Sequence, residues 1–262
     1  MPGSNHPTHS TSPRYPAPAF RTSPAPPGAL LPLIHTDNLA QSFATPPPPG
    51  KLYLLYGDPL VFPLSMNIAS YVLSKGMRLA VADGCNQFNP HAIIRFAQQR
   101  RLNADNLLKR IFVSRSFTCY QMEQTITNLL PSFLPTIDST TAVVLGILDT
   151  LYDEQAPLRE VRQILRRMLE ILQKMKENGI SILITAQERT VHPPERNALF
   201  AALKSGMDTI YRLNDSFELH LEKGAMHHGK NRTDLHEHHR QRSCQLGQVS
   251  SGTSEGGTGD LR

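Results

Sequence analysis

Tryptophan is absent from this chain of 262 residues, aromatic residues make up only 6% of it, and cysteine occurs three times. Cys85, Cys119 and Cys244 cannot form a disulfide framework, so stability must come from a packed core, and a reducing, intracellular compartment is the default. No apolar run approaches the ~18 residues needed to cross a bilayer. The N-terminus lacks the charged start and apolar centre of a secretory signal, and ALLPLI, residues 29–34, is short and interrupted by Pro32. These absences predict a soluble, cytoplasmic protein with no membrane partner.

Charge of one sign is also scarce. Lys and Arg number 27 against 22 Asp and Glu, a net of +5, divided as +1 over residues 1–50, +3 over 51–224 and +1 beyond, with no long basic run. Nucleic-acid binders usually concentrate their cations to neutralise several phosphates. The one stretch that resembles a patch is the Arg-rich face of a helix over 157–178, and a solvated helix face explains it as well.

The composition divides the chain in three. Residues 1–50 are rich in Pro, Ser, Thr and Ala and end on Pro46–Pro49 and Gly50. Such a segment cannot bury enough apolar surface to offset the entropy of ordering, so a disordered, Pro-rich arm is expected, with the ordered domain beginning at Lys51. Residues 225–262 form a Gly, Ser and Gln-rich tail with His227, His228, His236, His238 and His239. It is read as disordered, because no Cys or carboxylate spacing there defines a metal geometry.

Between these lies a regular alternation of strands and helices over 51–224. Its clearest part is 141–187. AVVLGILD, 142–149, is a continuous apolar run ending on Asp149, the pattern of a central parallel strand covered on both faces. After Pro157, Leu158, Val161, Ile164, Leu165, Met168, Leu172 and Met175 recur at helical spacing. Gly179 then stops the helix and SILITAQ, 181–187, returns as the next strand. The remaining strands fall at 51–57, 77–83 and 111–115. Ser65 is placed as the cap of a helix reaching Lys75, Asn89–Pro90 open another, Asn103 caps a short one, and a further helix covers 119–130. A hairpin is expected from 207–213 and 216–223 across Asn214–Asp215. The fold class is therefore α/β: a doubly wound, mostly parallel sheet with a C-terminal antiparallel hairpin at its edge. In such sheets ligands bind beyond the carboxyl ends of the strands, where Asp149 and Gln187 lie. A carboxylate there can hold the magnesium of a nucleotide or simply cap a turn.

Several stretches carry a resemblance to one family. DGCNQFNP (83–90), RIFVSRSFTCYQMEQ (110–124), LGILDTLY (145–152) and ITAQ (184–187) stand in the order found in the core of RecA-like recombinases, the strand-exchange ATPases of the P-loop NTPase superfamily. The resemblance implies a RecA-like sheet, an ATP–Mg site with Asp149 as the metal carboxylate and Gln187 as the nucleotide-sensing residue, and DNA as a partner.

The departures fall on the catalytic positions. A phosphate loop needs G-x-x-x-x-G-K-[ST]. From Gly57 this chain reads GDPLVFPLS, with Phe62 at the second glycine, Pro63 at the lysine and Leu64 at the hydroxyl position. Proline removes both an amide donor and the charge. The water-activating Glu of the resembling ATPases is replaced by Cys85, a poor base at neutral pH. The first DNA-contact loop shrinks to an acidic Asp153–Ala156, and the second leaves Arg189, His192 and Arg196 as candidates. Phe20 and Phe43 lack the Ala that would complete a Phe-x-x-Ala docking peptide.

No residue is assigned a catalytic role. Gly57, Asp58, Ser65 and Gln187 are read as vestigial nucleotide-binding positions, with Asp149 a metal ligand only if Mg–ATP binds. The leading expectation is a degenerate ATPase acting as an accessory or regulatory protein in DNA recombination or repair, its partner an active recombinase or ATPase. The alternatives are an ATP-binding, DNA-dependent ATPase with an atypical phosphate loop, and an interaction regulator unrelated to DNA.

Overall fold

The computed structural model describes residues 33–45, 49–153 and 155–224. The expectations for the arm through residue 32, for residues 46–48 and for the His-rich tail with Cys244 lie outside them. Seven strands form one sheet: β1 (Leu52–Gly57), β2 (Leu79–Asp83), β3 (Ile111–Arg115), β4 (Thr141–Leu145), β5 (Ser181–Gln187), β6 (Thr209–Leu213) and β7 (Leu219–Lys223). Their order is β3-β2-β4-β5-β1-β6-β7. Every neighbouring pair is parallel except β6 and β7, which run antiparallel at one edge. The α/β class and the mostly parallel sheet thus agree with the sequence reading.

Helices cover both faces. On one lie α1 (Leu33–Ala44), α2 (Val61–Ser74), α3 (Pro90–Gln99) and α4 (Ala104–Leu108); on the other lie α5 (Cys119–Gln124), α6 (Leu130–Thr136), α7 (Leu158–Glu177) and α8 (Asn197–Ser205). The central strands β1, β2 and β4 are buried along their whole length, which is why their sequences are unbroken apolar runs. Gly179, at φ +85°, makes the left-handed stop after α7.

Five expectations need correction. The ordered domain does not begin at Lys51, because α1 precedes it and buries Leu39, Ala40, Phe43 and Ala44, with Phe43 set edge-on to Tyr53 at 5.8 Å. An apolar face within a Pro-rich segment is enough to dock a helix when a complementary face waits on α2. Ser65 caps nothing: α2 starts a turn earlier at Val61, and the Ser65 hydroxyl donates to the Val61 carbonyl at 2.7 Å. The strand of 142–149 stops at Leu145, since Gly146 turns the chain at φ +61° and Asp149 opens a 3₁₀ turn. The helix expected to end at Leu130 continues to Thr136. A π turn over Thr125–Leu129 joins its halves, with the Leu130 amide bonding Thr125, and Pro131 following has no amide to restore the α ladder. The terminal hairpin has a five-residue connection, 214–218, closed by Asn214 bonds to Glu218, in place of a tight two-residue turn.

Among the described residues no helix is long and apolar enough to cross a membrane.

Candidate functional site

The carboxyl ends of β2, β4, β5 and β1 lie side by side, so the sheet brings Asp83, Asp149, Gln187 and the Gly57–Asp58 turn to one edge. Gly57 is opposite Gln187 in the register, and the Glu188 amide donates to the Gly57 carbonyl at 2.8 Å. Gly57 has φ +129°, and a Cβ there would meet the Leu213 carbonyl oxygen at 2.0 Å, so only glycine fits the turn.

The segment after Gly57 is not an open phosphate loop. The Asp58 amide bonds the Leu213 carbonyl at 3.1 Å, the Leu60 amide bonds the Asp58 carboxylate at 2.8 Å, and the Val61 and Phe62 amides bond the carbonyls of Asp58 and Pro59. Pro59 and Pro63 have no amide. Every described donor from 58 to 62 is therefore satisfied internally. A helix N-terminus attracts an anion because its first amides are free; here the Asp58 carboxylate already occupies that role. Phe62 and Leu64 are buried in the core, and Ser65 points back into its own helix.

The carboxylate after β4 is engaged as well. Arg189, two residues beyond Gln187, places Nη2 3.0 Å from Asp149 Oδ1 and its guanidinium 5.1 Å from the Tyr152 ring centre. Burial raises the Asp149 carboxyl above its ordinary value, and Arg189 opposes the rise. Burial likewise pushes the Tyr152 hydroxyl up to about 12. Neighbouring Cys85 packs against Gly146 beside Asp149. Burial, then the Asp149 and Asp83 carboxylates, push its thiol far above the usual range, so it is neither a base nor a ready nucleophile. Asp83 is fully enclosed and accepts from the Gln87 and Phe88 amides at 3.1 and 3.0 Å, which makes it the organiser of the 84–88 loop.

Neither charge of a metal nucleotide finds a complement. The donors that would receive phosphates are spent, no lysine stands in the loop, and the carboxylate that would hold the metal is paired with a guanidinium. The residues present do not fit ATP–Mg. Among the described residues no group of three or more His, Cys, Asp or Glu side chains is placed to hold a metal ion.

The loops after β4 and β5 are tied together rather than open. Arg196, expected among the DNA-contact candidates, is buried; its Nη1 donates to the Leu151 carbonyl at 2.6 Å and its Nη2 to that of Ala156. Of the three cations expected there, Arg189 is exposed but paired with Asp149, Arg196 is interior and His192 is exposed. Phe43 is interior too, which removes it as an exposed docking side chain.

A second feature lies at the opposite end of the strand order. Among the described residues β3 pairs only with β2, leaving one backbone edge unpaired, and beside it runs a cavity of about 690 Å³ between β3 and the π turn with α6. Ile111, Val113, Leu129, Leu130 and Phe133 line it. Leu129 and Phe133 are 49% and 37% exposed, two apolar side chains that face one groove, while Val113, 38% exposed, borders it from the edge strand. Phe133 stacks edge-on against Phe112 at 5.3 Å, which fixes the groove wall. The sequence held a signal for it: the 119–136 segment has more apolar residues than one core-facing stripe can bury. The Arg189–Asp149 pair and the Arg196 tie had none, because both join residues 40 or more apart.

No family model matches this sequence, and no curated protein matches it.

Proposed function

We propose that this chain is a RecA-like domain that has lost ATP hydrolysis and works as a cytoplasmic accessory protein in DNA recombination or repair, by binding another protein. One observation carries the loss of catalysis: the amides from 58 to 62 and the Asp149 carboxylate are already satisfied by the chain itself. Removing the cationic clamp and the water-positioning group costs several factors of ten in phosphoryl transfer, since single electrostatic groups commonly supply two to three. The RecA-like reading draws on the ordered motifs and is supported by the side-by-side placement of the β1 turn, Asp149 and Gln187 at one edge.

Protein binding is supported by the groove beside β3, which offers a free strand edge and an apolar trough, the two features that an extended peptide uses when it adds to a sheet. The partner proposed is an active RecA-like recombinase or repair ATPase.

Thermal unfolding of the full chain with millimolar Mg–ATP tests the first half. Saturation at a hundred times the dissociation constant adds about 2.7 kcal/mol, or roughly 5–10 °C at this size. The expected shift is below 1 °C; a rise abolished by Asp149→Ala would replace this reading with that of an atypical ATPase. For the second half, Leu129→Glu with Val113→Glu is expected to leave the melting temperature within a few degrees and to abolish capture of a purified recombinase. Capture that survives both changes would remove the groove from the proposal.

A further inference from the structure

The cations of this chain are dispersed in sequence and gathered in space. In a parallel sheet each crossover helix returns its C-terminus to the edge where the next strand starts. The ends of α2, α3 and α4 therefore arrive at the starts of β2 and β3, on the side of the sheet opposite to Asp149. Lys75 follows α2, Arg100 and Arg101 follow α3, Lys109 follows α4, and Arg78 and Arg110 immediately precede β2 and β3. The register Leu79↔Ile111 sets Arg78 and Arg110 on adjacent chains, about 4.8 Å apart at the backbone. A Cβ on Gly76 would be 3.5 Å from Arg110 Nη1, which brings the turn after Lys75 against that guanidinium. Five of the six are exposed and Arg110 is half-buried.

Their partners are not carboxylates. Arg78 donates to the Ile137 carbonyl at 3.2 Å and Arg110 to that of Asn106 at 2.8 Å, while Lys75 lies 4.9 Å from the Tyr71 ring centre and Arg100 4.5 Å from that of Phe96. Among the described residues none of the six forms an ion pair with a carboxylate; Asp105 and Asp138 lie near them in the chain, and Glu177 and Asp208 stand farther along the same edge, at the starts of β5 and β6, with Asp208 paired to Lys176. The basic face of α7 is mixed: Arg167 meets Glu123, Arg166 meets Glu170 at 3.8 Å and Lys176 meets Asp208 at 3.0 Å, whereas Arg159 and Arg162 are spread one turn apart along the helix with no ion pair among the described residues. A cation near a helix C-terminus complements its partial negative charge. Three helix ends need three cations for that purpose, and six are present.

We infer that this edge, formed by Lys75, Arg78, Arg100, Arg101, Lys109 and Arg110, is a binding surface for the phosphate backbone of duplex nucleic acid. Four of the six are arginines, whose planar fork matches phosphate oxygens, and their charge is not committed elsewhere. A protein partner would want a cluster of apolar anchors within the patch; among the described residues a single exposed large apolar side chain, Leu102 at 39%, stands beside these cations. Among the described residues the aromatics beside the cations are Tyr71, half-buried with Lys75 over its ring, and Phe96, buried beneath Arg100, so single-stranded bases have no open ring to stack on, and contact falls to the backbone without regard to sequence. The inference does not rest on the protein-binding reading, since groove and patch use different residues.

The test is fluorescence anisotropy of the full chain with a labelled 30-base-pair duplex of mixed sequence, between 50 and 300 mM NaCl. One variant carries Lys75→Glu, Arg101→Glu and Lys109→Glu, sparing the two arginines that bond carbonyls. A control carries Arg159→Glu, Arg162→Glu and Arg166→Glu on α7, with the same change in net charge. A second patch variant with Gln at the same three positions guards against misfolding, and circular dichroism checks each protein. The patch variants are expected to bind at least tenfold more weakly at 100 mM salt, with the slope of log K against log salt shallower by about 3 for three lost contacts. The control is expected to retain wild-type affinity within about threefold. Failure of the wild type to bind at 50 mM salt, equal losses in patch and control variants, or a tenfold preference for a single strand of the same sequence would each overturn the assignment.

Discussion

Replacing Arg189 by Met removes the guanidinium from Asp149 while keeping most of the apolar stem. Removing one partner of a fully buried ion pair costs about 3–5 kcal/mol, whereas exposed pairs are worth about 0.2–1 kcal/mol. The side chains here are 19% exposed for Asp149 and 36% for Arg189, between those limits. The expected loss is about 2 kcal/mol at pH 7.5 once solvent screening is allowed for, which lowers the melting temperature by about 4–8 °C in a domain of this size. The pH dependence has a definite sign. Burial holds the Asp149 carboxyl above its ordinary value, so the folded state keeps its proton longer than the unfolded chain, and this contribution is lost as pH rises from about 4 through the raised folded value. Without Arg189 the folded value climbs further, and Arg189→Met should recover part of its loss at pH 5. Thermal unfolding of wild type, Arg189→Met, Asp149→Asn and the double variant at both pH values closes the cycle. The double variant is expected to be no less stable than Arg189→Met alone, because a neutral amide needs no counter-charge. An Arg189→Met protein within 0.5 kcal/mol of wild type at both pH values, or one that weakens further on acidification, would refute the pairing.

Phe43→Ala is expected to cost about 3–5 kcal/mol, the range for a deleted buried phenyl ring, and removal of residues 1–50 should be at least as damaging; denaturant unfolding measures both, and the fragment beginning at Lys51 with full stability would contradict the docked helix. On the other face, the Tyr56 hydroxyl donates to Glu222 at 2.7 Å and accepts from Lys204 at 2.9 Å. Tyr56→Phe leaves Lys204 and Glu222 paired with each other, so a loss of about 1 kcal/mol is expected by the same method. Cys85 should react with iodoacetamide at pH 8 at least tenfold more slowly in the native protein than in denaturant, as read by peptide mass spectrometry, because burial and two carboxylates disfavour its thiolate.

Periodicity revealed most of the sheet. β1, β2, β4 and β5 are buried on both faces, so their sequences could hardly be anything but apolar runs, and α7 stands out because one face of 20 residues meets the core while the other meets water. Boundaries failed where a local contact overrode the pattern. The 142–149 run is apolar to Leu148 because Ile147 and Leu148 are also buried, although they belong to the turn that comes after the strand. Ser65 had the chemistry of a helix cap, but Asp58 and Pro59 start the helix a turn earlier, and a cap depends on where the chain turns. α1 was hidden by the prolines around it. The site was legible as a set of positions, and its state was not: Gly57, Asp58, Gln187 and Asp149 do come to one edge, but the pairing of Asp149 with Arg189 depends on the path of a loop, which no spacing encodes.

The two edges of the sheet differ in how far their groups are satisfied within the chain. At the carboxyl edge, each charge that a metal nucleotide would bring has an internal stand-in, a carboxylate at the start of α2 and a guanidinium beside Asp149. Internal pairs of this kind stabilise the fold without a ligand, so the domain is not obliged to bind nucleotide in order to stay folded. At the other edge and along β3, the groups are left open among the described residues: a strand with one unpaired side, half-exposed apolar side chains and six cations without a carboxylate partner. Keeping such groups unsatisfied has a cost in solubility and stability. On the proposed reading, variants at the rim of the sheet should change binding with little effect on folding, whereas variants at the carboxyl edge, where Asp58 and Asp149 are held by internal bonds, should do the reverse.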